Sequence, residues 1–195
     1  IPTQPMRVIA TELEGVVIIE PDVFKDNRGY FYEAFNERRF VEATGIDTHF
    51  VQDNESRSAT NVVRGLHFQL PPYAQSKLVS VVCGKILDIA VDIRRGSSTF
   101  GQYVSVELSG ENHRQLFIPR GFAHGFVVLE GDAVVRYKCD SYYSPSAEGA
   151  IRWDDTTLNI DWSIDSNSAI LSEKDANSPL LDECEELFDY NADYY

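Results

Sequence analysis

The sequence has few cysteines and no long apolar run. Its three cysteines lie far apart without any Cys-x-x-Cys spacing, which argues against both a disulfide framework and a zinc site. No stretch approaches the roughly 20 apolar residues of a membrane-spanning helix, and no basic and apolar signal segment is present near residue 1. Cys83 and Cys139 lie within apolar runs, so we expect buried free thiols, which are typical of a reducing compartment. Together with the lack of a membrane segment, this predicts a cytoplasmic protein with no membrane partner.

The chain is also poor in positive charge. It has 17 Lys and Arg residues against 31 Asp and Glu residues, a net charge of −14. A polyanion would be repelled by this field, so nucleic acid is not an expected partner, whereas a small anionic ligand needs only a few local cations. The length of 195 residues with 43% hydrophobic content fits one domain. We interpret residues 1–5 as a cloning remnant and Met6 as the natural start, which leaves a single domain over 6–195.

Alternating apolar and polar residues dominate the rest of the chain. In the segment 85–93, Leu87, Ile89, Val91 and Ile93 share one face, and 104–108 alternates in the same way. Short runs of this kind, separated by glycine- and proline-containing turns, are typical of an antiparallel sandwich or barrel. Two segments predict helices: 36–44, and a C-terminal tail over 178–189 that begins with Ser-Pro and carries an apolar stripe at helical spacing. The expected fold is therefore all-β with short helices, including one at the C-terminal end.

Two of the four histidines lie in patterns that belong together. Gly65-x-His67-x-Gln69 is followed by Pro119-x-Gly121-x-x-His124, and this pair resembles the two signature strands of the cupin, or double-stranded β-helix, jelly roll. Metal-binding cupins carry a second histidine where this chain has Gln69, and a carboxylate where it has Gln75 and Lys77. Glutamine is a poor metal ligand and an ammonium group is none, so no metal site is expected.

Three residues remain as candidates for proton transfer in a cavity without a metal. Strand alternation lets His67, Lys77 and Tyr137 point into a barrel interior. A histidine can take a proton from carbon next to a carbonyl, a cation can stabilise the enolate, and a tyrosine can return a proton from the other face. Asp175 can orient the histidine. Each residue alone also fits a structural reading: a core histidine or tyrosine, an edge-strand lysine, a helix-capping aspartate. Together they favour epimerase chemistry.

Seven motifs, in this order, resemble those of the dTDP-4-dehydrorhamnose 3,5-epimerase family from about Gly15 to Pro179. They are Asp26-Asn-Arg-Gly-Tyr-Phe-Tyr-Glu33, Phe50-Val-Gln-Asp-Asn-Glu-Ser56, Val63-Arg-Gly-Leu-His-Phe-Gln69, Lys77-Leu-Val, Ile118-Pro-Arg-Gly-Phe-Ala-His-Gly-Phe126, Tyr137-Lys-Cys-Asp-Ser-Tyr-Tyr143 and Leu171-Ser-Glu-Lys-Asp175. The resemblance implies inversion of C3 and C5 of dTDP-4-dehydro-6-deoxy-D-glucose without metal or redox cofactor. It also implies a homodimer in which an N-terminal strand reaches the partner subunit.

The resemblance also implies residue roles. His67 is the base, backed by Asp175, Tyr137 is the acid on the other face, and Lys77 stabilises the enolate oxygen. The residues implied in binding the dTDP-sugar are Arg28, Glu33, Gln52, Asp53, Asn54, Arg64, His124, Glu148 and Lys174. Two alternatives stay open: an enzyme on the same barrel that inverts one centre or isomerises the keto group, and a non-catalytic sugar-binding cupin.

Overall fold

The computed structural model describes residues 6–195; residues 1–5, which we interpret as a cloning remnant, lie outside the described residues. The strands are β1 (Arg7–Ala10), β2 (Val17–Glu20), β3 (Phe24–Asp26), β4 (Gly29–Phe31), β5 (Gln52–Ser58), β6 (Val63–Gln69), β7 (Lys77–Asp92), β8 (Arg94–Arg95), β9 (Tyr103–Ser109), β10 (Gln115–Ile118), β11 (Phe122–Cys139), β12 (Glu148–Ala150) and β13 (Phe188–Asp189). The helices are α1 (Glu37–Thr44) and α2 (Glu173–Ala176), with 3-10 turns at Pro145–Ala147, Ser166–Ser168 and Leu181–Glu183.

Two long strands, β7 and β11, form the backbone of the fold. They pair antiparallel from Phe122 opposite Asp92 to Cys139 opposite Lys77. Strands β10 and β5 extend one half of this pair, and β9, β6 and β12 extend the other half. The register shifts between the halves, where Gly84 has a φ of +77° and a Cβ would lie 2.7 Å from the Ala133 Cα. The result is the all-β architecture that the alternation predicts.

Strand alternation divides the apolar residues of β7 beyond Gly84 between two cores, one on each face. Val79, Ile86 and Ala90 of β7 pack in the cluster shared by both halves of the sheet. Ile89 and Val91 point the other way and pack in a second cluster. The C-terminal residues that cover this second face are Ile151, Leu158, Trp162, Leu181, Cys184 and Phe188. The apolar face predicted over 87–93 is therefore the outer one, and the opposite face points into the barrel interior.

Helix α1 confirms the prediction for 36–44. The Asn36 side chain caps it by accepting the Arg39 N–H, and Gly45 ends it with a φ of +70°. Phe40 is fully buried and packs against Phe117 and Phe50. The helix thus closes the outer side of the other half of the sheet through one aromatic anchor.

The predicted C-terminal helix over 178–189 is wrong in its extent. The segment contains one 3-10 turn at Leu181–Glu183, and its end forms β13, which pairs parallel with β8. The buried Asp155 carboxylate accepts the Leu181 N–H at 2.7 Å, and the Glu183 carboxylate accepts the Leu180 N–H at 2.8 Å. These carboxylates accept backbone N–H groups that a helix would otherwise pair, and Phe188 is buried without a helix. Tertiary contacts therefore override the helical tendency of the apolar stripe.

All three cysteines are free, and Cys139 and Cys184 are buried while Cys83 is exposed. The prediction that Cys83 is buried is wrong because it lies next to the bend at Gly84, where the apolar alternation of β7 is interrupted. Within residues 6–195, no helix has the length and apolar content needed to cross a membrane.

Candidate active site

A cavity of about 250 Å³ lies between the two halves of the barrel. One wall comes from β5, β7 and β11 and the other from β6 and β12. The lining residues are Gln52, Asn54, His67, Phe68, Gln69, Gln75, Lys77, Tyr137, Tyr143 and Glu148. The structure therefore brings together six predicted site residues from five strands. It adds Tyr143, as well as Phe68, Gln69 and Gln75, which sequence reasoning did not assign to the site.

His67, in the middle of β6, is paired with Asp175 of α2. The His67 Nε2 lies 2.7 Å from the Asp175 Oδ1, and the Gly65 N–H donates to the other carboxylate oxygen at 3.2 Å. Asp175 is 4% exposed. Burial raises the pKa of Asp175, but its contacts with His67 and Gly65 outweigh burial and hold the pKa below its usual value. The carboxylate stays ionised, and with Nε2 donating to it, the Nδ1 lone pair can accept a proton.

Lys77 begins β7 and lies between Ile118 of β10 and Cys139 of β11. Its ammonium group is 5.6 Å from the centre of the Tyr137 ring. Burial lowers the pKa of Lys77, while the nearby carboxylates of Asp88 and Glu148 act in the opposite direction. Burial also raises the pKa of the Cys139 thiol to about 11, so Cys139 is a neutral neighbour. The cavity wall thus presents a partly desolvated cation, which interacts strongly with a developing anion.

Tyr137 of β11 lies opposite Asn54 of β5. Burial raises the pKa of Tyr137 above its ordinary value, against the smaller lowering effect of Arg64. The phenol therefore carries its proton at neutral pH and can act as a weak acid. The Arg64 Nε donates to the Ser58 Oγ at 2.9 Å, with the arginine itself exposed.

Ionic contacts define the side of the cavity near β12. The Lys174 Nζ lies 2.6 Å from a Glu148 oxygen, and the Tyr143 hydroxyl donates to the same oxygen at 3.3 Å. The ion pair with Lys174 holds the pKa of Glu148 low. Gln52 accepts the Tyr143 N–H at 3.0 Å, which ties this side of the cavity to β5.

Three predicted binding residues lie away from this cavity within the chain. Asp53 points opposite to its cavity-lining neighbours and pairs with Lys138 at 3.0 Å, because adjacent residues of a strand face opposite sides. Arg28, on the exposed β3–β4 hairpin, pairs with Asp26 at 2.6 Å. Glu33 pairs with Arg39 at 2.8 Å.

His124 lies deeper in the barrel than predicted. It is opposite His67 in the β6–β11 pairing and is 6% exposed, so it is not among the described residues that line the cavity. Its Nε2 lies 2.6 Å from the Asp88 Oδ1, and the Asp88 Oδ2 is buried with no hydrogen-bond partner among residues 6–195. Sequence reasoning missed Asp88, although an aspartate between Ile86 and Ala90 on one strand face marks a polar group in the interior.

The arrangement suits proton transfer at carbon. One cavity is lined by a histidine paired with a carboxylate, a half-buried cation and a protonated phenol. These are the groups needed to remove a proton next to a carbonyl and return it elsewhere. Across residues 6–195, no group of three or more His, Cys, Asp or Glu side chains could hold a metal ion.

Comparisons with known proteins identify the family. The family model described as dTDP-4-dehydrorhamnose 3,5-epimerase matches residues 10–183. A relative of that description from Salmonella typhimurium is 53% identical over 178 residues, 91% of this chain and 97% of the relative. A solved Legionella pneumophila 3,5-epimerase in complex with dTDP-4-keto-L-rhamnose has a TM-score of 0.92 and 50% identity, covering 96% of this chain and 100% of that one.

A more distant structure shows the range of chemistry on this fold. A 3'-monoepimerase from Streptomyces bikiniensis, in complex with dTDP-quinovose, has a TM-score of 0.82 and 33% identity, covering 88% of this chain and 86% of that one. The family match and the identities of about 50% to 3,5-epimerases confirm the sequence resemblance, the cupin-like jelly roll and the isomerase class. The chain belongs to the dTDP-4-dehydrorhamnose 3,5-epimerase family.

Proposed function

We propose that the protein inverts C3 and C5 of dTDP-4-dehydro-6-deoxy-D-glucose to give dTDP-4-dehydro-L-rhamnose, and that the residues predicted from the sequence carry out the reaction. The observation that carries this proposal is the convergence of His67 with Asp175, Lys77 and Tyr137 on one cavity. Both carbons are next to the C4 ketone, which makes their hydrogens acidic, so one set of groups serves both inversions.

His67 is the proposed base. Its Nδ1 takes the proton from the sugar carbon, and the electron pair of the C–H bond moves into the enolate, with the negative charge on the C4 oxygen. The Asp175 carboxylate, 2.7 Å from Nε2, stabilises the imidazolium that forms and keeps the ring in the reactive tautomer.

Lys77 and Tyr137 complete the inversion. The Lys77 ammonium stabilises the enolate oxygen. The Tyr137 phenol donates a proton to the carbon from the face opposite His67, and proton exchange with solvent restores both groups. Every step moves protons only, so the proposal includes neither a redox cofactor nor a metal.

The remaining predicted residues bind the nucleotide part of the substrate in this proposal. Gln52 and Asn54 line the cavity, and the Glu148–Lys174 ion pair lies at its side. Arg64 supplies a guanidinium for the diphosphate, since arginine binds phosphate oxygens in a bidentate manner.

The predicted homodimer accounts for the residues that lie away from the cavity. The β3–β4 hairpin exposes Phe24, Tyr30 and Phe31 to 38%, 56% and 57%, which is typical of an interaction surface. We propose that this hairpin packs on a second copy of the chain and delivers Arg28, with Glu33, to the partner's cavity. Asp53 remains a predicted binding residue, and in this proposal its contact with the substrate also requires the dimer.

A mixed-dimer experiment tests this arrangement. We expect Arg28→Ala and His67→Asn to be inactive separately and to regain activity when unfolded and refolded together. In the mixed dimer, one cavity contains the intact His67 and receives the intact Arg28 from the other chain. A lack of activity in the mixture, with mixed dimers present by mass spectrometry, would show that Arg28 does not act across the interface.

The reaction itself is tested by incubation with dTDP-4-dehydro-6-deoxy-D-glucose in D₂O. Deuterium at both C3 and C5, with a rhamnose product after addition of a 4-reductase and NADPH, supports the double epimerase. Deuterium at one carbon would assign the protein to the single-site class, and no exchange with retained dTDP binding would assign it to sugar-binding cupins. The free cysteines support the further proposal of a cytoplasmic location, which fractionation of the native host tests.

A further inference from the structure

Three residues next to the wall of the active-site cavity are connected on the outer side of the barrel. Ser76 precedes Lys77, Asp140 follows Cys139, and Arg120 lies two residues after Ile118. Lys77 is paired directly with both Ile118 and Cys139. Because alternate residues face opposite sides, Gln75 and Lys77 line the cavity while Ser76 points away from it.

Asp140 connects these strand ends. Its Oδ1 accepts the Ser76 N–H at 2.6 Å, and its Oδ2 lies 3.2 Å from the Arg120 Nε. The Asp140 side chain is 2% exposed and that of Arg120 is 17% exposed. A charge-assisted contact between shielded groups is much stronger than one in open solvent, so this pair holds the ends of β7, β10 and β11 together.

Tyr195 connects the same groups from the C-terminal segment. Its hydroxyl accepts the Arg120 N–H at 3.2 Å and shares a hydrogen bond of 2.8 Å with the Ser76 Oγ. The Arg120 guanidinium lies 4.9 Å from the centre of the Tyr195 ring and donates to the Tyr194 carbonyl.

The exposure of Tyr195 distinguishes this contact from ordinary packing. The residue is 62% exposed, whereas Ser76 is 0% exposed. A tail aromatic that only stabilises the fold would bury its ring, since buried apolar area supplies its stabilisation. Here the residue as a whole stays largely in solvent, and its hydroxyl reaches a buried serine adjacent to Lys77.

We propose that Ser76, Arg120, Asp140 and Tyr195 form a positioning clamp that fixes Lys77 at the cavity wall, with Tyr195 as a positioning residue for the reaction. This inference rests on the proposed role of Lys77 in stabilising the enolate. The lysine side chain is long and flexible, so the site of its ammonium group depends on how firmly its strand is held. A misplacement of about 1 Å can cost about 100-fold in rate.

The test compares Tyr195→Phe with Tyr190→Phe. The first change removes only the hydroxyl, and the control removes the same atom from a tail tyrosine whose ring lies 5.0 Å from Arg94, away from the clamp. We expect Tyr195→Phe to lower kcat about fivefold, the effect of one hydrogen bond, with KM and dTDP affinity changed less than about twofold. Tyr190→Phe should match the wild type.

A double-mutant cycle with Lys77→Met shows whether the effect passes through the lysine. Deuterium wash-in at C3 and C5 supplies the rates in the slow variants. We expect Tyr195→Phe to cause no further loss when Lys77 is already replaced, because coupled residues are not additive. The same fold-loss in both backgrounds, a loss in KM rather than kcat, or no loss in the single variant would overturn the clamp.

The cycle also separates this inference from the proposed function. If Lys77→Met lowers kcat strongly and Tyr195→Phe has no effect, the clamp alone fails. If Lys77→Met retains the wild-type kcat, the role of Lys77 in the proposed function fails, and the positioning role of the clamp fails with it.

Discussion

Replacement of Asp175 by asparagine isolates the charge of the histidine–carboxylate pair. The amide has nearly the same shape and can still accept the Gly65 N–H, which now donates at 3.2 Å. What is lost is the negative charge 2.7 Å from the His67 Nε2. We therefore expect substrate binding to persist and proton removal to slow.

The size of the effect follows from Coulomb's law. Two unit charges with centres about 4 Å apart interact by about 4 kcal/mol at an effective dielectric constant of about 20. The His67 side chain is 33% exposed while that of Asp175 is 6% exposed, so solvent reduces this to about 3 kcal/mol. Since each 1.36 kcal/mol corresponds to about a factor of ten, we expect kcat to fall by about 100-fold.

The assay measures deuterium incorporation at C3 and C5 under saturating substrate, with dTDP affinity measured by calorimetry. Asp155→Asn serves as the matched control. Asp155 is also buried, at 3% exposure, but its carboxylate accepts backbone N–H groups such as that of Leu158, and it lies outside the cavity lining. It should lose stability without losing kcat per folded molecule.

The reasoning is refuted by a fall of less than about threefold in kcat for a folded Asp175→Asn protein, because the pair would then contribute less than about 0.7 kcal/mol to the transition state. An equal loss in Asp155→Asn would also refute it, since both variants would then be reporting a general effect of replacing a buried carboxylate.

Three further outcomes are expected. Tyr137→Phe should lower inversion by about 100-fold while leaving exchange on the His67 face, so that NMR detects deuterated but uninverted sugar; an unchanged product profile contradicts this role. Asp92→Asn should lose about 3 kcal/mol of stability at pH 7, because it weakens the buried pair with Arg94. The pKa of Asp92 is lowered in the folded state because hydrogen bonds from Arg94, Ser97 and Thr99 outweigh the raising effect of burial, so this difference is present above about pH 4 and fades as the pH falls below it, as urea titrations at several pH values can check. Gly84→Ala should destabilise the protein by about 2 kcal/mol more than Gly131→Ala, since both have positive φ but only Gly84 has backbone within 4 Å of the added Cβ; equal melting temperatures would contradict it.

The cavity-facing residues on long strands could be predicted from the sequence. Alternation with apolar neighbours predicts that the side chains of His67, Lys77 and Tyr137 point inward, and all three line the cavity. Side-chain direction in a strand has a fixed period, so local pattern is sufficient wherever a strand remains regular. The prediction that Cys83 is buried fails because the strand register shifts beside it.

Asp88 could not be predicted in the same way. It lies on the less apolar face of the segment 85–93, and the local pattern does not indicate that this face is the interior. The opposite face is apolar because the C-terminal segment covers it, a contact between residues far apart in sequence. The same long-range contact explains the missing helix: Leu181 and Phe188 are placed by burial against the barrel, whereas the helical stripe reflects only local spacing.

The charge of the cavity supports the proposed position of Arg28 in a dimer. Among the described residues that line the cavity, Lys77 is the cation, and the nearby Lys174 is offset by Glu148. A nucleoside diphosphate adds at least two negative charges, which Lys77 and Arg64 alone would have to balance while Lys77 also faces the enolate. The Arg28 side chain is 85% exposed and, within the described part of the chain, pairs with its neighbour Asp26, itself 49% exposed. Such a contact has little energetic value. A guanidinium held so weakly on an aromatic hairpin is readily transferred to a phosphate. The mixed-dimer experiment therefore tests whether the cavity needs Arg28 to balance the charge of the diphosphate. It also tests whether that arginine comes from the other chain.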